Sequence, residues 1–262
     1  MHDDQLTFSL RDVSFGIGGQ TILQPLTLDL SLKGQVAGLI GHNGSGKSTL
    51  LKLLARQLPP LGGTVSLNGE PIDKLKDRAL ARQLAYLPQK PPPAAGMTVR
   101  NLVALGRYPW HGALGRFAKA DREAVDEAMT LTRVTSMADR LVDTLSGGER
   151  QRTWLAMLVA QKPQCLLLDE PISALDIAYQ IEILKLVGDL ARNHDLGVIV
   201  VLHDINMAAR FCDEIIALHS GRLLVRGTPE EILKPEILQS IYSIEMRVTT
   251  LPGAAWPIAT PV

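Results

Sequence analysis

A glycine-rich segment with one lysine, GHNGSGKST at 41–49, has the residue types of a phosphate-binding loop. It fits the pattern G-x-x-x-x-G-K-[ST] and lies between an apolar run that predicts a strand and an amphipathic pattern that predicts a helix. Glycines let backbone N–H groups turn towards phosphate oxygens, and the following helix N-terminus adds the positive end of its dipole. We expect the lysine to reach the β- and γ-phosphates and the serine after it to ligate Mg²⁺. The predicted contacts with a nucleoside triphosphate are Gly41, His42, Asn43, Gly44, Ser45, Gly46, Lys47, Ser48 and Thr49.

Two other interpretations of these glycines are weaker. A dinucleotide fingerprint has the order G-x-G-x-x-G, whereas residues 41–46 run G-x-x-G-x-G. An accidental glycine-rich turn would lack the strand before it and the helix after it. The surroundings also favour an anion, because no carboxylate occurs between Asp29 and Glu70 while four basic side chains do.

A second segment with suitable chemistry is CLLLDEP at 165–171, where an apolar run ends in two carboxylates. Taken alone, such a pair is as often an ordinary solvated strand end. Beside a phosphate loop the two acids can divide the work. We predict that Asp169 serves Mg²⁺ and that Glu170 polarises the water that attacks the γ-phosphate.

The third segment, LSGGERQR at 145–152, predicts another helix that begins at a site for an anion. Ser146 and Glu149 have the spacing of a capping box, and Gly147 and Gly148 leave the first backbone N–H groups uncovered. The plain alternative is a well-capped helix. Two phosphate-binding helix starts are hard to explain with one nucleotide in one chain. Two copies arranged head to tail explain them, since the second helix start of one would meet the γ-phosphate held by the other.

The elements that would position these segments follow from hydrophobic periodicity. Residues 6–10, 26–32 and 64–68 alternate apolar and polar, which predicts an antiparallel sheet near the N-terminus. Runs that are apolar throughout predict strands of a parallel sheet buried on both faces; they are 36–40, 165–168, 198–202 and 215–218. Residues 98–133 are mostly helical in pattern, with an interruption at 107–112. The uncharged, proline-containing tail after Arg247 predicts an irregular strap.

Composition narrows the class of protein. The 262 residues contain 46 % hydrophobic residues, enough for a real core, and 27 basic against 27 acidic residues, which disfavours nucleic acid as a partner. Two cysteines without a CxxC pair predict reduced core residues. The acidic start, MHDDQ, is unlike a signal peptide, and no apolar run reaches the roughly 20 residues of a membrane span.

These motifs together resemble the ATP-binding subunits of ABC transporters over nearly the whole chain. GHNGSGKS resembles Walker A, LLLDE Walker B, and LSGGERQR the signature; Gln89, SALD at 173–176 and His203 fit the Q-loop, D-loop and switch histidine. The resemblance implies an α/β fold: a RecA-like P-loop NTPase core with an N-terminal antiparallel β-subdomain and an inserted ABC helical subdomain. It implies one ATP-binding domain at 1–240, with its core at 1–90 and 161–240 and its helical part at 91–160, followed by a C-terminal extension at 241–262.

The same resemblance implies that a homodimer hydrolyses ATP with Mg²⁺. Lys47, Gln89, Glu170 and His203 would be catalytic, Ser48, Gln89 and Asp169 would serve the metal, and Asp176 would lie at the dimer seam. Ser146, Gly147, Gly148 and Glu149 would contact the nucleotide of the partner protomer. The sequence departs from the family at Ile17, where an aromatic residue usually stacks on adenine, and at Ile172, where threonine is common. We expect aliphatic contact of Ile17 with the base.

A closer resemblance is to the ATPases of iron(III)–siderophore importers, of the ferric-hydroxamate (ferrichrome) type, carried above all by GRYPWHGALGRF at 106–117. It implies docking on a membrane permease at the cytoplasmic face of the cell membrane, with cargo delivered by a periplasmic or surface binding protein. Tyr108, Trp110 and Arg107, in a stretch without acidic residues, are the predicted permease contacts. Trp110 could instead pack inside the helical insertion. Importers of haem, cobalamin or other metal chelates, and ABC ATPases without a transporter, are the alternative functions.

Overall fold

The computed structural model describes residues 6–112, 115–250 and 256–262. The first five residues, and Ala113 and Leu114 within the GRYPWHGALGRF segment, therefore lie outside the described part of the chain. The same holds for residues 251–255 of the tail.

The strands of the described residues are, in chain order, β1 (Thr7–Ile17), β2 (Gln20–Ser31), β3 (Val36–Ile40), β4 (Gly62–Leu67), β5 (Glu70–Pro71), β6 (Leu84–Leu87), β7 (Cys165–Leu168), β8 (Gly197–Val201), β9 (Glu214–His219), β10 (Arg222–Gly227), β11 (Met246–Thr249) and β12 (Ile258–Pro261). The α-helices are α1 (Lys47–Leu54), α2 (Asp77–Ala81), α3 (Val99–Leu105), α4 (Tyr108–His111), α5 (Lys119–Leu131), α6 (Gly147–Ala160), α7 (Ile177–His194), α8 (Ile205–Phe211), α9 (Pro229–Ile232) and α10 (Pro235–Tyr242).

The central sheet has the order β10-β9-β3-β8-β7-β6, and all neighbours in it are parallel except β10 with β9. Its inner strands β3, β7 and β8 are buried along their whole length. This explains why they are continuously apolar: helices cover both faces of a parallel sheet. The strands predicted from the apolar runs are confirmed, and the fold is the α/β P-loop architecture that the motifs indicated.

The N-terminal antiparallel sheet has the order β2-β1-β4-β5. Its inward residues alternate along each strand; Phe8, Leu10 and Leu28 belong to one core cluster with Leu51 of α1 and Ile199 of β8. The wet outer face carries the polar residues of the pattern. The predicted antiparallel sheet is therefore confirmed, and its apolar face closes over the helix that follows the glycine-rich loop.

Helices α3, α5 and α6 form a small unit with a core of its own. Val103, Val125, Met129 and Ala156 are all at most 1 % exposed in this cluster. The capping box at Ser146 starts α6, and Trp154 and Leu155 on another side of that helix join the main core. The interruption predicted at 107–112 is confirmed in part: α3 ends at Leu105, and Tyr108–His111 then forms one separate helical turn.

The C-terminal tail is more regular than predicted. Residues Met246–Thr249 pair antiparallel with Ile258–Pro261, so the expectation of an irregular strap is wrong. The pairing is anchored by Asn206 of α8, whose side-chain amide donates to Ala259 O at 3.0 Å and accepts from Ala259 N at 2.8 Å. Helix α10 crosses residue 240 with Leu238 and Ile241 fully buried. The core thus continues past the predicted boundary at 240/241.

Arg107 is an interior residue, which corrects its prediction as a permease contact. Its Nε donates to Asp121 Oδ1 at 2.9 Å, its Nη1 donates to Ala160 O at 2.7 Å, and both side chains of the ion pair are 7 % exposed. Although burial raises the pKa of Asp121, hydrogen bonds from Ala118 N–H and from the guanidinium hold it below its usual value. Asp121 lies 14 residues after Arg107 in the sequence, and α5 brings its carboxylate back to the guanidinium. The stretch without acidic residues around Arg107 therefore did not indicate this ion pair.

Across residues 6–112, 115–250 and 256–262, no helix has both the length and the apolar composition needed to cross a bilayer.

The buried ion pair gives a stability prediction. Arg107→Met should lower the free energy of unfolding by about 3–5 kcal/mol, because it leaves the Asp121 carboxylate buried without its cation. The matched control is Arg100→Met, which breaks an ion pair with Asp126 whose side chains are 44 % and 59 % exposed; it should cost less than about 1 kcal/mol. Urea denaturation measures both. Equal losses in the two variants would contradict the interior role of Arg107.

Candidate nucleotide-binding site

The glycine-rich loop joins the end of β3 to α1, and its shape requires glycine at two positions. Gly41 has φ +141° and Gly46 has φ +98°. A Cβ atom at Gly41 would lie 2.1 Å from Leu218 O, and one at Gly46 would lie 2.6 Å from a methyl carbon of Leu23. Any side chain would therefore push the loop off its supports. Among the described residues, no side chain caps the N-terminus of α1, so its first N–H groups remain open to an anion.

Lys47 is the first residue of α1 and is only 5 % exposed. Its Nζ donates to Gly41 O at 2.9 Å and to His42 O at 3.0 Å. Burial lowers the pKa of Lys47, and the nearby carboxylates of Glu170 and Asp169 oppose that shift. The ammonium group is thus held by two carbonyl oxygens of the loop. This is a suitable position for contact with phosphate oxygens.

Ser48 and Asp169 meet at the start of α1. The Ser48 hydroxyl donates to Asp169 Oδ1 at 2.7 Å, and Asp169 is 2 % exposed. Burial raises the pKa of Asp169, and the neighbouring charge of Glu170 raises it further. The phenol of Tyr86 is also buried near this carboxylate, and burial together with the Asp169 charge raises its pKa.

This pair of oxygen donors fits Mg²⁺. The ion prefers oxygen ligands and is usually held by one or two protein groups, with waters and substrate phosphates completing the octahedron. The described residues contain no cluster of three or more His, Cys, Asp and Glu side chains that could hold a metal by themselves. A hydroxyl and a buried carboxylate beside an open phosphate loop have the composition of a Mg²⁺–nucleotide site.

Gln89, Glu170 and His203 come together although they are far apart in sequence. Gln89 Nε2 donates to Glu170 Oε2 at 2.5 Å, and His203 Nε2 lies 2.7 Å from Glu170 Oε1. The three residues follow the carboxyl ends of β6, β7 and β8, which are neighbours in the parallel sheet. Parallel strands end at one edge, and this places the three side chains beside each other. The Glu170 carboxylate is oriented from both sides, as a group that must position a water requires.

The signature segment forms the helix start that was predicted. Glu149 N donates to Ser146 Oγ at 3.3 Å, and Ser146 N donates to Glu149 Oε2 at 2.8 Å. The hydrogen bond from Ser146 N–H lowers the pKa of Glu149. The Glu149 carboxylate is therefore occupied by its own helix and by Arg140, at 3.2 Å.

The two glycines after Ser146 allow close packing of α6 against α7. A Cβ atom at Gly148 would lie 2.3 Å from the Tyr179 ring, and one at Gly147 would lie 3.2 Å from Leu175. Asp176 begins α7, where its Oδ1 accepts a hydrogen bond from Tyr179 N at 3.1 Å. Asp176, the residue predicted at the dimer seam, therefore lies close to the start of α6.

Ile17 ends β1 beside the Gly18–Gly19 turn and is 64 % exposed. Phe15, two residues earlier, is 7 % exposed and packs in the core of the antiparallel sheet. The aliphatic side chain is therefore the free apolar group at this edge, and the aromatic ring is not. Ile172, the other departure, is 8 % exposed and packs in the main core.

The predicted permease contacts divide into three environments. Tyr108 is 53 % exposed. Trp110 is 40 % exposed, but its Nε1 donates to Gln161 O at 2.7 Å, and the guanidinium carbons of Arg82 and Arg107 lie 4.7 and 4.9 Å from its ring centre. Trp110 thus packs on its own domain and keeps one face open, while Arg107 is interior.

Sequence reasoning missed the turn between β9 and β10. Gly221 N donates to Ser45 O at 3.2 Å, and Ser220 N donates to His42 Nε2 at 3.3 Å. The turn therefore supports the phosphate loop directly. A serine–glycine pair between two apolar runs marks a turn, but nothing in its residue types indicates which loop it touches.

Comparisons with known proteins agree with this geometry. The ABC transporter family model matches residues 23–173. The chain is 44 % identical to the achromobactin transport ATP-binding protein of Dickeya dadantii, over 96 % of this chain and 93 % of that protein. It is 38 % identical to the iron(3+)-hydroxamate import ATP-binding protein of Bacillus subtilis, over 96 % and 93 %. A solved inward-facing ABC transporter of the type assigned to metal chelates superposes with a TM-score of 0.85 and 26 % identity, covering 98 % of this chain and 97 % of that one.

Proposed function

Because this chain belongs to the ABC transporter family, we propose that it is the ATP-hydrolysing subunit of an importer for iron(III)–siderophore complexes of the hydroxamate type. The observation that carries the proposal is the contact of Gln89 and His203 with the two oxygens of Glu170, beside a phosphate loop. The chain would work at the cytoplasmic face of the cell membrane, bound to a permease and without nucleic acid.

The arrangement supports in-line attack of water on the γ-phosphate of ATP. The loop N–H groups and Lys47 bind the phosphates, and Glu170 orients the water and accepts its proton. Gln89 and His203 fix the rotamer of Glu170. Mg²⁺, when bound at Ser48 and Asp169, supplies neutralisation of charge on the phosphate oxygens.

A second copy of the chain completes the site. The start of α6 would bind an anion through its first N–H groups: Ser146 and Gly147 are exposed there, while Gly148 packs against Tyr179. Asp176 and the exposed Ile177, at 67 %, lie at the start of the neighbouring helix α7. We therefore propose a head-to-tail homodimer in which this surface closes on the γ-phosphate of the partner protomer. Glu149 would act there through the cap that it forms with Ser146.

Binding and hydrolysis are proposed to move the helical subdomain, residues 91–160, against the core at 1–90 and 161–240. Gln89 would lie at the hinge of this movement, because the prolines at 91–93 follow it and lead into the subdomain. The exposed ring of Tyr108 and the open face of Trp110 lie on that subdomain and form the proposed permease contact. In the proposed extension at 241–262, Ala259 exchanges two hydrogen bonds with Asn206 of α8, three residues after His203.

The proposal for the cargo rests on the GRYPWHGALGRF segment at 106–117 and on the names of the relatives. The relative named for hydroxamate import is 38 % identical, and the one named for achromobactin transport is 44 % identical. The residues that would bind the cargo lie on other chains of an importer, so this chain does not distinguish between cargoes. The alternative is an importer of haem, cobalamin or another metal chelate. Both alternatives use the same nucleotide chemistry.

Replacing the proposed base tests the mechanism. Glu170→Gln should lower the rate of ATP hydrolysis about 10²- to 10⁴-fold, since the amide cannot accept the proton. ATP should still bind, and size-exclusion chromatography with MgATP should show a stable dimer. Lys47→Ala is the contrasting variant, because it should bind no ATP and stay monomeric under the same conditions. Hydrolysis by Glu170→Gln at the wild-type rate would refute the assigned base.

The permease contact is tested on Tyr108. Tyr108→Ala should weaken binding to the purified permease about 5- to 30-fold, as expected for an interface anchor, and leave ATP hydrolysis by the separate subunit unchanged. Leu224→Ala, which removes another exposed apolar side chain, 41 % exposed and located on β10, is the control. Similar binding of both variants, measured by surface plasmon resonance, would remove Tyr108 from the interface.

The cargo is tested with the complete importer in proteoliposomes. ATP hydrolysis should be stimulated by the cognate binding protein loaded with an iron(III)–hydroxamate and not by the same protein offered haem or cobalamin. Stimulation by haem or by cobalamin alone would transfer the proposal to those importers. Stimulation of the purified ATPase by DNA or RNA would favour an ABC ATPase without a transporter.

A further inference from the structure

Both nitrogens of the His42 ring contact the protein itself. Its Nδ1 lies 2.7 Å from Asn43 O, and its Nε2 accepts the hydrogen bond from Ser220 N at 3.3 Å. A carbonyl needs a donor and an N–H needs an acceptor, so the ring is the neutral tautomer with its proton on Nδ1. Both ring nitrogens are therefore used inside the structure. His42 can act on a nucleotide only through its backbone or through the turn that it holds.

That turn is held on two sides. Gly221 N donates to Ser45 O at 3.2 Å, and Gln24 N of β2 donates to Gly221 O at 2.9 Å. A Cβ atom at Gly221 would lie 2.3 Å from Ile22 O, which shows how closely the turn approaches β2. The β9–β10 turn thus bridges the phosphate loop and the antiparallel sheet.

The same sheet carries the proposed base contact. Strand β2 pairs with β1, and Ile17 is opposite Gln20 at the end of that hairpin. Strand β2 also touches the loop from the other side, since Leu23 lies against Gly46. A nucleotide that touches both Ile17 and the phosphate loop spans two parts of the fold. The β9–β10 turn contacts both parts, through Ser45 of the loop and Gln24 of β2.

A second histidine supports the first. The ring centres of His42 and His219 are 4.8 Å apart in an edge-to-face arrangement, and His219 Nδ1 lies 3.2 Å from Ile241 O of α10. His219 ends β9, directly before the turn. The His42 ring is therefore held in one orientation by a neighbour that is itself tied to the core.

We propose that His42 is a positioning residue that, through its Nε2 bond to Ser220, keeps the phosphate loop at a fixed spacing from the Ile17 edge of the antiparallel sheet. ATP, which must contact both places, gains affinity from this spacing. Inorganic tripolyphosphate gains no affinity from this spacing, because it contacts the phosphate loop alone. The inference rests on the nucleotide site proposed above.

The test compares two ligands in matched variants. His42→Leu keeps the side-chain size and removes the acceptor, whereas His42→Gln places an amide oxygen near the position of Nε2. His42→Leu should raise the Kd for MgATP about 2- to 10-fold, the range for one net hydrogen bond. Its Kd for inorganic tripolyphosphate should stay within about twofold. His42→Gln should bind both ligands as the wild type does.

Two controls separate positioning from general damage. His194→Leu changes an exposed histidine at the far end of α7 and should alter none of these values. His42→Asn serves where the leucine variant does not fold, since its shorter side chain cannot reach Ser220. Thermal unfolding checks every variant.

Each result decides the inference. An unchanged ATP affinity in His42→Leu overturns it, and so does an equal loss for ATP and tripolyphosphate, which would place the effect in the phosphate loop alone. Failure of His42→Gln to restore ATP affinity overturns the acceptor role of Nε2. A wild-type chain that binds no ATP refutes the proposed function instead, and the two failures are distinguishable.

Discussion

A buried ammonium group opposite two carboxylates is the constraint on which the rest of this structure depends. Lys47 is 5 % exposed, and its Nζ is bound by two loop carbonyls, while Asp169 and Glu170 lie near enough to oppose the loss of its charge. Removing a cation from water is costly unless other charges and hydrogen bonds compensate. The carbonyls of Gly41 and His42 and the strand-end acids are the compensation. The ammonium group and the open start of α1 together form a place for a phosphate chain.

The parallel sheet brings the remaining chemistry to this place. Gln89, Glu170 and His203 are separated by long stretches of sequence but follow three adjacent parallel strands. A sheet of this kind ends its strands at one edge, where ligands of open α/β folds bind. The helical unit adds the capped start of α6 from a cluster with a core of its own. Trp154 and Leu155 of the same helix pack in the main core, so α6 connects the two cores.

Burial and charge explain where the sequence interpretation was incomplete. The basic stretch between Asp77 and Asp121 suggested free cations for a partner, but α5 returns Asp121 to Arg107 and makes that cation interior. Trp110 combines packing inside the helical insertion with an exposed face: Arg82 and Arg107 pack on its ring, and part of the ring stays exposed. The tail forms paired strands because Asn206 offers its amide to Ala259, a contact over 53 residues that no local pattern contains.

The phosphate loop, the strand-end acids, the capped second helix and the order of elements around them can be predicted from the amino-acid sequence. These features depend on local chemistry, namely backbone conformations open to glycine, hydrophobic period and short-range capping, and such information is present within a few neighbouring residues. Three other features follow only from the folded chain: Glu170 contacts both Gln89 and His203, Arg107 is an interior residue, and the β9–β10 turn contacts His42. Each of these is a contact between distant segments, and the packing of sheets and helices selects such partners.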